Sequence, residues 1–167
     1  TGIGYKISKD IVIDYCLYCK DAFLLFVVEN YYASFLDRTS NPKYYFMDNG
    51  LLNLFLDDKN SSLLENIVAL HLYRNHKESL YYFKGNKVDI DFYLSDSNTA
   101  IQVAYSINEG NAYSREVSNL LNFNSSKNDN GKLIIVTYEE EKTLSIDGKT
   151  IEVVPLKKFL LDCWCFI

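Results

Sequence analysis

From Ser62 to Thr137 the chain reads as a helix, three strands, a second helix and a fourth strand, and this order constrains its fold more than any other feature. Ser62 opens a helical pattern in which Leu63, Leu64, Ile67, Leu70 and His71 recur on one face through about Asn75. Strand-like runs follow at Leu80 to Phe83, Val88 to Leu94 and Ala100 to Ser106, separated by turn signals at Gly85-Asn86 and Ser95 to Asn98. A helix is expected over Glu116 to Phe123, beginning near Tyr113, then a polar loop from Ser125 to Gly131 and an apolar strand from Lys132 to Thr137. Beyond it come a charged excursion from Glu139 to Lys149 with an Asp147-Gly148 turn, a strand from Ile151 to Val154, and a terminal helix opened by Pro155 as its first residue. The expectation is an α/β fold with an αβββαβ core on a mixed sheet, extended by one strand and one helix.

The segment before this core reads differently. Ser8 caps a helix from Lys9 to Asp21, with Ile11, Ile13, Tyr15, Cys16 and Cys19 apolar. Phe23 to Val28 and Tyr44 to Met47 are short strands, joined across a polar turn from Asp37 to Lys43 that contains Asn41-Pro42. A helix followed by two strands is the second half of a winged-helix module, so residues 1–47 are read as a partial winged-helix segment. Asp48-Asn49-Gly50 is a turn signal and Leu51 to Leu56 a short helix, which begin the second unit, residues 48–167. The opening Thr1-Gly2-Ile3-Gly4 carries no signal-peptide pattern and is expected to continue from an upstream part of a longer chain.

Composition narrows the class. Apolar residues make up 48% and charged residues 23%, enough to bury a core and too apolar for a disordered chain. The net charge of −5 gives no global basic field for a polyanion. No apolar run reaches the roughly 20 residues needed to span a bilayer, so a cytoplasmic, membrane-free protein is expected. Cys16 and Cys19 sit in a helical apolar pattern and Cys163 and Cys165 lack structural-zinc spacing, so all four are expected as free thiols.

Glu65 falls on the first core helix, Asp89 and Asp91 on the second core strand, and Gln102-Val103-Ala104 on the third. Residues two apart on a strand share a face, so Asp89 and Asp91 point the same way. This layout resembles the PD-(D/E)xK nuclease core, which places a helical carboxylate, a strand Asp and an acid-x-Lys around divalent ions that activate water. At the acid position stands Gln102 and at the lysine position Ala104.

Further motifs carry a wider resemblance. Tyr44-Tyr-Phe-Met-Asp-Asn-Gly-Leu-Leu52, Leu63-Leu-Glu-Asn66, Val88-Asp-Ile-Asp-Phe92 and Ile101-Gln-Val-Ala-Tyr105 resemble the C-terminal region of a family of prokaryotic AAA+ ATPases. Arg115-Glu116, Thr137-Tyr-Glu-Glu140 and Val154-Pro-Leu156 are similar to it as well. The resemblance implies an upstream P-loop ATPase domain in the same polypeptide, a winged-helix segment and a restriction-endonuclease-like C-terminal domain. No GxxxxGK[ST] loop occurs within these 167 residues.

The candidate site is therefore Glu65, Asp89, Asp91 and Gln102, a remnant nuclease site. Glu65, Asp91 and Gln102 would ligate Mg2+ if it is active, and no other cofactor is expected. Lys84, Lys87 or Arg115 could supply a migrated cation. Structural readings stand beside these. Ser62-x-x-Glu65 is a capping-box pattern. Asp89 and Asp91 alternate with Val88, Ile90 and Phe92 as on a half-buried strand. Gln102 needs a partner within an apolar strand, for which Asp91 or Glu65 is the natural choice. His71 and His76 read as a boundary histidine and a helix-end histidine, and Lys127, Lys157 and Lys158 as solvated. The expected function is a noncatalytic regulatory or interaction module of an AAA+ ATPase, with an active magnesium-dependent nuclease and metal-free nucleic-acid binding as alternatives. Expected partners are the upstream ATPase domain, other proteins or nucleic acid, and further copies of the chain.

Overall fold

A computed structural model describes residues 8–32, 41–56, 60–85, 88–107, 110–127 and 131–161, with the side chains of 110–112 and 124–127 left out. Among these residues the helices are α1 (Lys9–Asp21), α2 (Asn49–Asn53), α3 (Asn60–His76), α4 (Gly110–Lys127) and α5 (Leu156–Leu161). The strands are β1 (Leu25–Asn30), β2 (Lys43–Phe46), β3 (Leu80–Gly85), β4 (Val88–Leu94), β5 (Thr99–Val103), β6 (Lys132–Thr137), β7 (Lys142–Ile146) and β8 (Lys149–Pro155). They form one mixed eight-stranded sheet in the order β2-β1-β3-β4-β5-β6-β8-β7. No described helix is long and apolar enough to cross a membrane.

Alternating residues send the sheet's two faces into separate cores. On β6, Ile134 and Val136 join a cluster with Val68 and Leu72 of α3 and Phe159 of α5. Leu133 and Ile135 point the other way, into a cluster with Val117, Leu120 and Phe123 of α4. The alternation breaks once. On β4, Val88 and Ile90 lie in the α4 cluster, whereas Phe92 and Leu94 lie in the α3 cluster. The register with β3 explains it: Tyr81 faces Tyr93 but Phe83 faces Ile90, so β4 carries one extra residue around Asp91. This β-bulge re-aims the strand where the candidate acids sit.

Several expectations need correction. The charged excursion contains β7, which a tight Asp147-Gly148 turn folds antiparallel onto β8; both turn residues have positive φ, as a two-residue hairpin requires. Helix α4 runs through Lys127, into the expected loop. Pro155 ends β8 instead of opening α5. The segments on either side of residue 47 contribute to one sheet: β1 pairs in parallel with β3, and Phe26, Val28 and Tyr45 lie in the α3 core.

Candidate functional site

The bulge leaves part of β4 without a strand partner on its β5 side, where the ladder pairs only Phe92, Tyr93 and Leu94. Gln102 fills that gap with its side chain. Its Oε1 accepts the Asp91 backbone N–H at 2.8 Å, and its Nε2 donates to the Asp89 carbonyl at 2.9 Å. The same Nε2 donates to Glu116 Oε2 at 2.9 Å. Gln102 is 1% exposed, so each of these bonds replaces water that burial removed. The carboxylate beside Gln102 is thus Glu116 of α4, in place of the expected Asp91 or Glu65.

Asp91 looks elsewhere. Its Oδ2 accepts the Val103 N–H at 3.0 Å, and its Oδ1 lies 3.2 Å from the Lys43 ammonium. The same ammonium lies 3.6 Å from Glu65 Oε1, which also accepts the Tyr45 hydroxyl proton at 2.8 Å. Lys43 and Tyr45 are two apart on β2 and therefore reach the same neighbourhood. Glu65 does not serve the expected capping box, since α3 begins at Asn60 and its carboxylate turns to β2. Asn66, on the next position of α3, fixes β2 against the helix: its amide accepts Phe46 N–H at 2.8 Å and donates to Phe46 C=O and Asn49 Oδ1, both at 3.0 Å.

The charge states follow from this packing. Burial works against the Lys43 charge, but Asp91 and then Glu65 outweigh it and hold the ammonium pKa above its usual value. Burial pushes Asp91 up to about 6; Lys43 pulls it down, and Glu65 pushes it up again. The two ends of the pair differ because burial outweighs Lys43 at Asp91, whereas two carboxylates outweigh burial at Lys43. Burial raises Tyr45 well above the ordinary tyrosine value, with Glu65 adding to it.

Lys43, Glu65, Asp89, Asp91, Arg115 and Tyr105 are among the residues lining a cleft of about 590 Å³. Both candidate strand acids thus open onto one cleft. Asp89 is exposed and pairs with Lys84 at 3.2 Å. Arg115 forms a fork on Glu116 Oε1, at 2.9 Å from Nε and 2.6 Å from the terminal nitrogen. The expected migrated cations are therefore engaged away from Asp91, and Lys87 lies outside the described residues. The cation at Asp91 is Lys43, which sequence reading had placed in a turn. Its one visible signal was the Lys43-x-Tyr45 alternation at the start of a strand. Glu116 was legible as an acid within the apolar helical series Tyr113, Val117, Leu120 and Phe123.

Magnesium, which the nuclease resemblance implies, does not fit this arrangement. The Lys43 ammonium stands between the two carboxylates that would share the ion, and the Gln102 amide is fully committed to the bulge and Glu116. Among the described residues no group of three or more His, Cys, Asp or Glu is disposed to hold a metal. Ala104 lines the cleft too, whereas the two histidines and the described cysteines fall outside its lining. His71 tilts against Phe159 and its pKa is lowered, chiefly by burial. His76 Nδ1 lies 3.4 Å from Asp96. Cys16 and Cys19 are free and half-buried on α1; Cys163 and Cys165 lie outside the described residues.

Comparison with curated proteins finds a match to an uncharacterized protein of Methanocaldococcus jannaschii. The two are 35% identical over 173 residues, covering 93% of this chain and 37% of the relative. The chain thus spans little more than a third of the length of the curated relative it matches. No family model matches the chain, and no solved structure does.

Proposed function

We propose that the chain contains a restriction-endonuclease-like core whose acidic cleft is closed by a lysine, and that it serves a longer AAA+ ATPase as a noncatalytic regulatory or interaction module. The element order α3-β3-β4-β5-α4-β6 supports the core assignment, since it brings a helical acid and a strand acid to one cleft. The observation that carries the noncatalytic reading is the Lys43 ammonium, 3.2 Å from Asp91 and 3.6 Å from Glu65. A cation supplied by the chain stands between, and half-neutralises, the pair of acids that a nuclease would reserve for a metal ion. The length of the relative supports a place in a larger polypeptide, and the ATPase assignment rests on the motif resemblance alone.

One observation favours the active nuclease instead: Lys43 also supplies a cation near Asp91, which Ala104 cannot. Calorimetric titration with Mg2+ and Mn2+ separates the two readings. Wild-type protein is expected to show no saturable binding at millimolar metal, and no metal-dependent cleavage of single- or double-stranded DNA or RNA. Saturable binding that disappears in Asp91→Ala, accompanied by cleavage, would establish the nuclease and end the noncatalytic reading.

A further inference from the structure

Helix α1 has no buried residue, although most of its surface is apolar. Only Cys16 and Cys19 are half-buried; the remaining positions are exposed. A helix in water normally hides its apolar stripe, and one that is apolar on several sides is normally enclosed. Here Ile11, Tyr15 and Tyr18, at i, i+4 and i+7, form a continuous outward stripe, with the two tyrosines 65% and 66% exposed and their rings edge to face at 6.4 Å. Alongside the stripe, at 100° per residue, Asp10, Asp14 and Asp21 fall within a narrow arc on one edge. None of the three is in an ion pair among the described residues.

We propose that this face of α1 is the docking surface for an amphipathic helix of a partner protein, one whose apolar stripe is edged by lysine or arginine. The i, i+4, i+7 spacing is the ridge that a second helix packs against. Charge complementarity chooses the partner's edge: three carboxylates beside the stripe attract basic side chains and repel nucleic-acid phosphates and anionic lipid headgroups. A second copy of the chain is a poorer fit, because a two-fold antiparallel pair of α1 helices sets like edges together, carboxylates against carboxylates. Tyrosine anchors suit such an interface, since each presents a large ring of low conformational cost and a hydroxyl that tolerates water when free.

The test uses a fluorescein-labelled synthetic helix of leucine and lysine in amphipathic order, and a counterpart with glutamate in place of lysine. Fluorescence anisotropy is expected to give saturable binding of the lysine helix, weakening as salt is raised, and none of the glutamate helix. The double variant Tyr15→Glu, Tyr18→Glu should weaken binding at least about tenfold, a loss of the size expected for buried aromatic anchors. The triple variant Asp10→Asn, Asp14→Asn, Asp21→Asn should weaken it less and remove the salt dependence. Leu161→Glu, at the exposed end of α5, should change nothing. Because the substituted side chains are exposed, circular dichroism should report an unchanged fold. Equal binding of both helices, equal loss in Leu161→Glu, or no binding at all overturns the proposal. Sedimentation that shows a wild-type dimer broken by the tyrosine variant overturns it too, in favour of a second copy.

Discussion

Gln102 and Asp91 are joined through the backbone, not through charge: the side-chain amide of one takes the 2.8 Å bond that a neighbouring strand would otherwise supply to the other. The side chain of Gln102 is here a repair of the sheet. Asn30 plays the same part at the far side of β3, where its side chain both accepts from Lys84 N–H and donates to Lys84 C=O at 3.1 Å. Two amide side chains thus extend ladders that strands alone leave open.

Replacing Gln102 with alanine should leave the Asp91 N–H, the Asp89 carbonyl and the Glu116 carboxylate without these partners in a buried setting. The expected loss is about 2–4 kcal/mol, the range for breaking a buried hydrogen-bond network. Urea denaturation followed by circular dichroism measures it. Gln102→Glu should also destabilise, because it sets a second carboxylate against Glu116, and it should not create metal binding. A neutral Gln102→Ala would mean that the bulge satisfies its backbone without the amide.

Acidification should relieve one cost in the fold, the charge on Asp91, while His71, its pKa lowered by burial, works against it. Asp91 titrates at about 6 in the folded chain, against 3.8 for the free side chain. An acid whose pKa is raised by folding binds its proton more tightly when folded. The cost of its charge is therefore complete above pH 6 and is relieved as pH falls through 6 towards 3.8. Between about pH 7.5 and pH 5 the gain is on the order of 1 kcal/mol. Asp91→Asn should flatten this slope, whereas Lys43→Met should raise the Asp91 pKa further and move the interval upward. Denaturation curves across pH read all three; because the lowered pKa of His71 costs stability over the same interval, wild type is compared with Asp91→Asn, and a difference that does not grow in favour of the wild type on acidification contradicts the account.

Phe23 closes α1 in a conformation that suits glycine. Its φ is 57°, and Leu24 N–H reaches Cys19 C=O at 2.8 Å while Phe23 N–H reaches Lys20 C=O at 3.0 Å, the paired bonds of a Schellman cap. A left-handed bulky residue costs about 1–2 kcal/mol, and the ring is 80% exposed, so little packing offsets the strain. Phe23→Gly should therefore raise stability by about 0.5–1 kcal/mol after the entropy of the unfolded glycine is counted. Loss of stability instead would show that the ring packs more than its exposure suggests.

Strong periodicity made most elements legible. The run Leu133, Ile134, Ile135 and Val136 announced β6, and the alternation of Val88, Ile90 and Phe92 announced β4 with its two acids. What stayed hidden depended on contacts between distant segments. Lys43 reads as the end of a polar turn until β2 is laid beside β1 and its side chain is carried to an acid 48 residues away. The bulge at Asp91 has no glycine to mark it and emerges only from the register with β3. Glu65 carried two meanings, and Ser62-x-x-Glu65 could favour the capping box only while the helix start was unknown; three helical residues, Asn60 to Ser62, precede Leu63. The strand β7 was lost because its alternation of Lys142, Leu144 and Ile146 is diluted by charge on an edge that water reaches.

The parallel pairing of β1 with β3 also sets an order of assembly. Glu29 and Asn30 find their partners at Tyr81 and Tyr82 only after β2, α2 and α3 have been traversed, and Asn30 waits for Lys84, 54 residues further on. Closing so long a loop costs entropy before any contact repays it. During synthesis, α1, β1 and β2 therefore leave the ribosome as a hairpin with a helix and no sheet to join. Among the described strands β1 is therefore expected to dock late, its apolar side chains finding their sheet only once β3 has followed it.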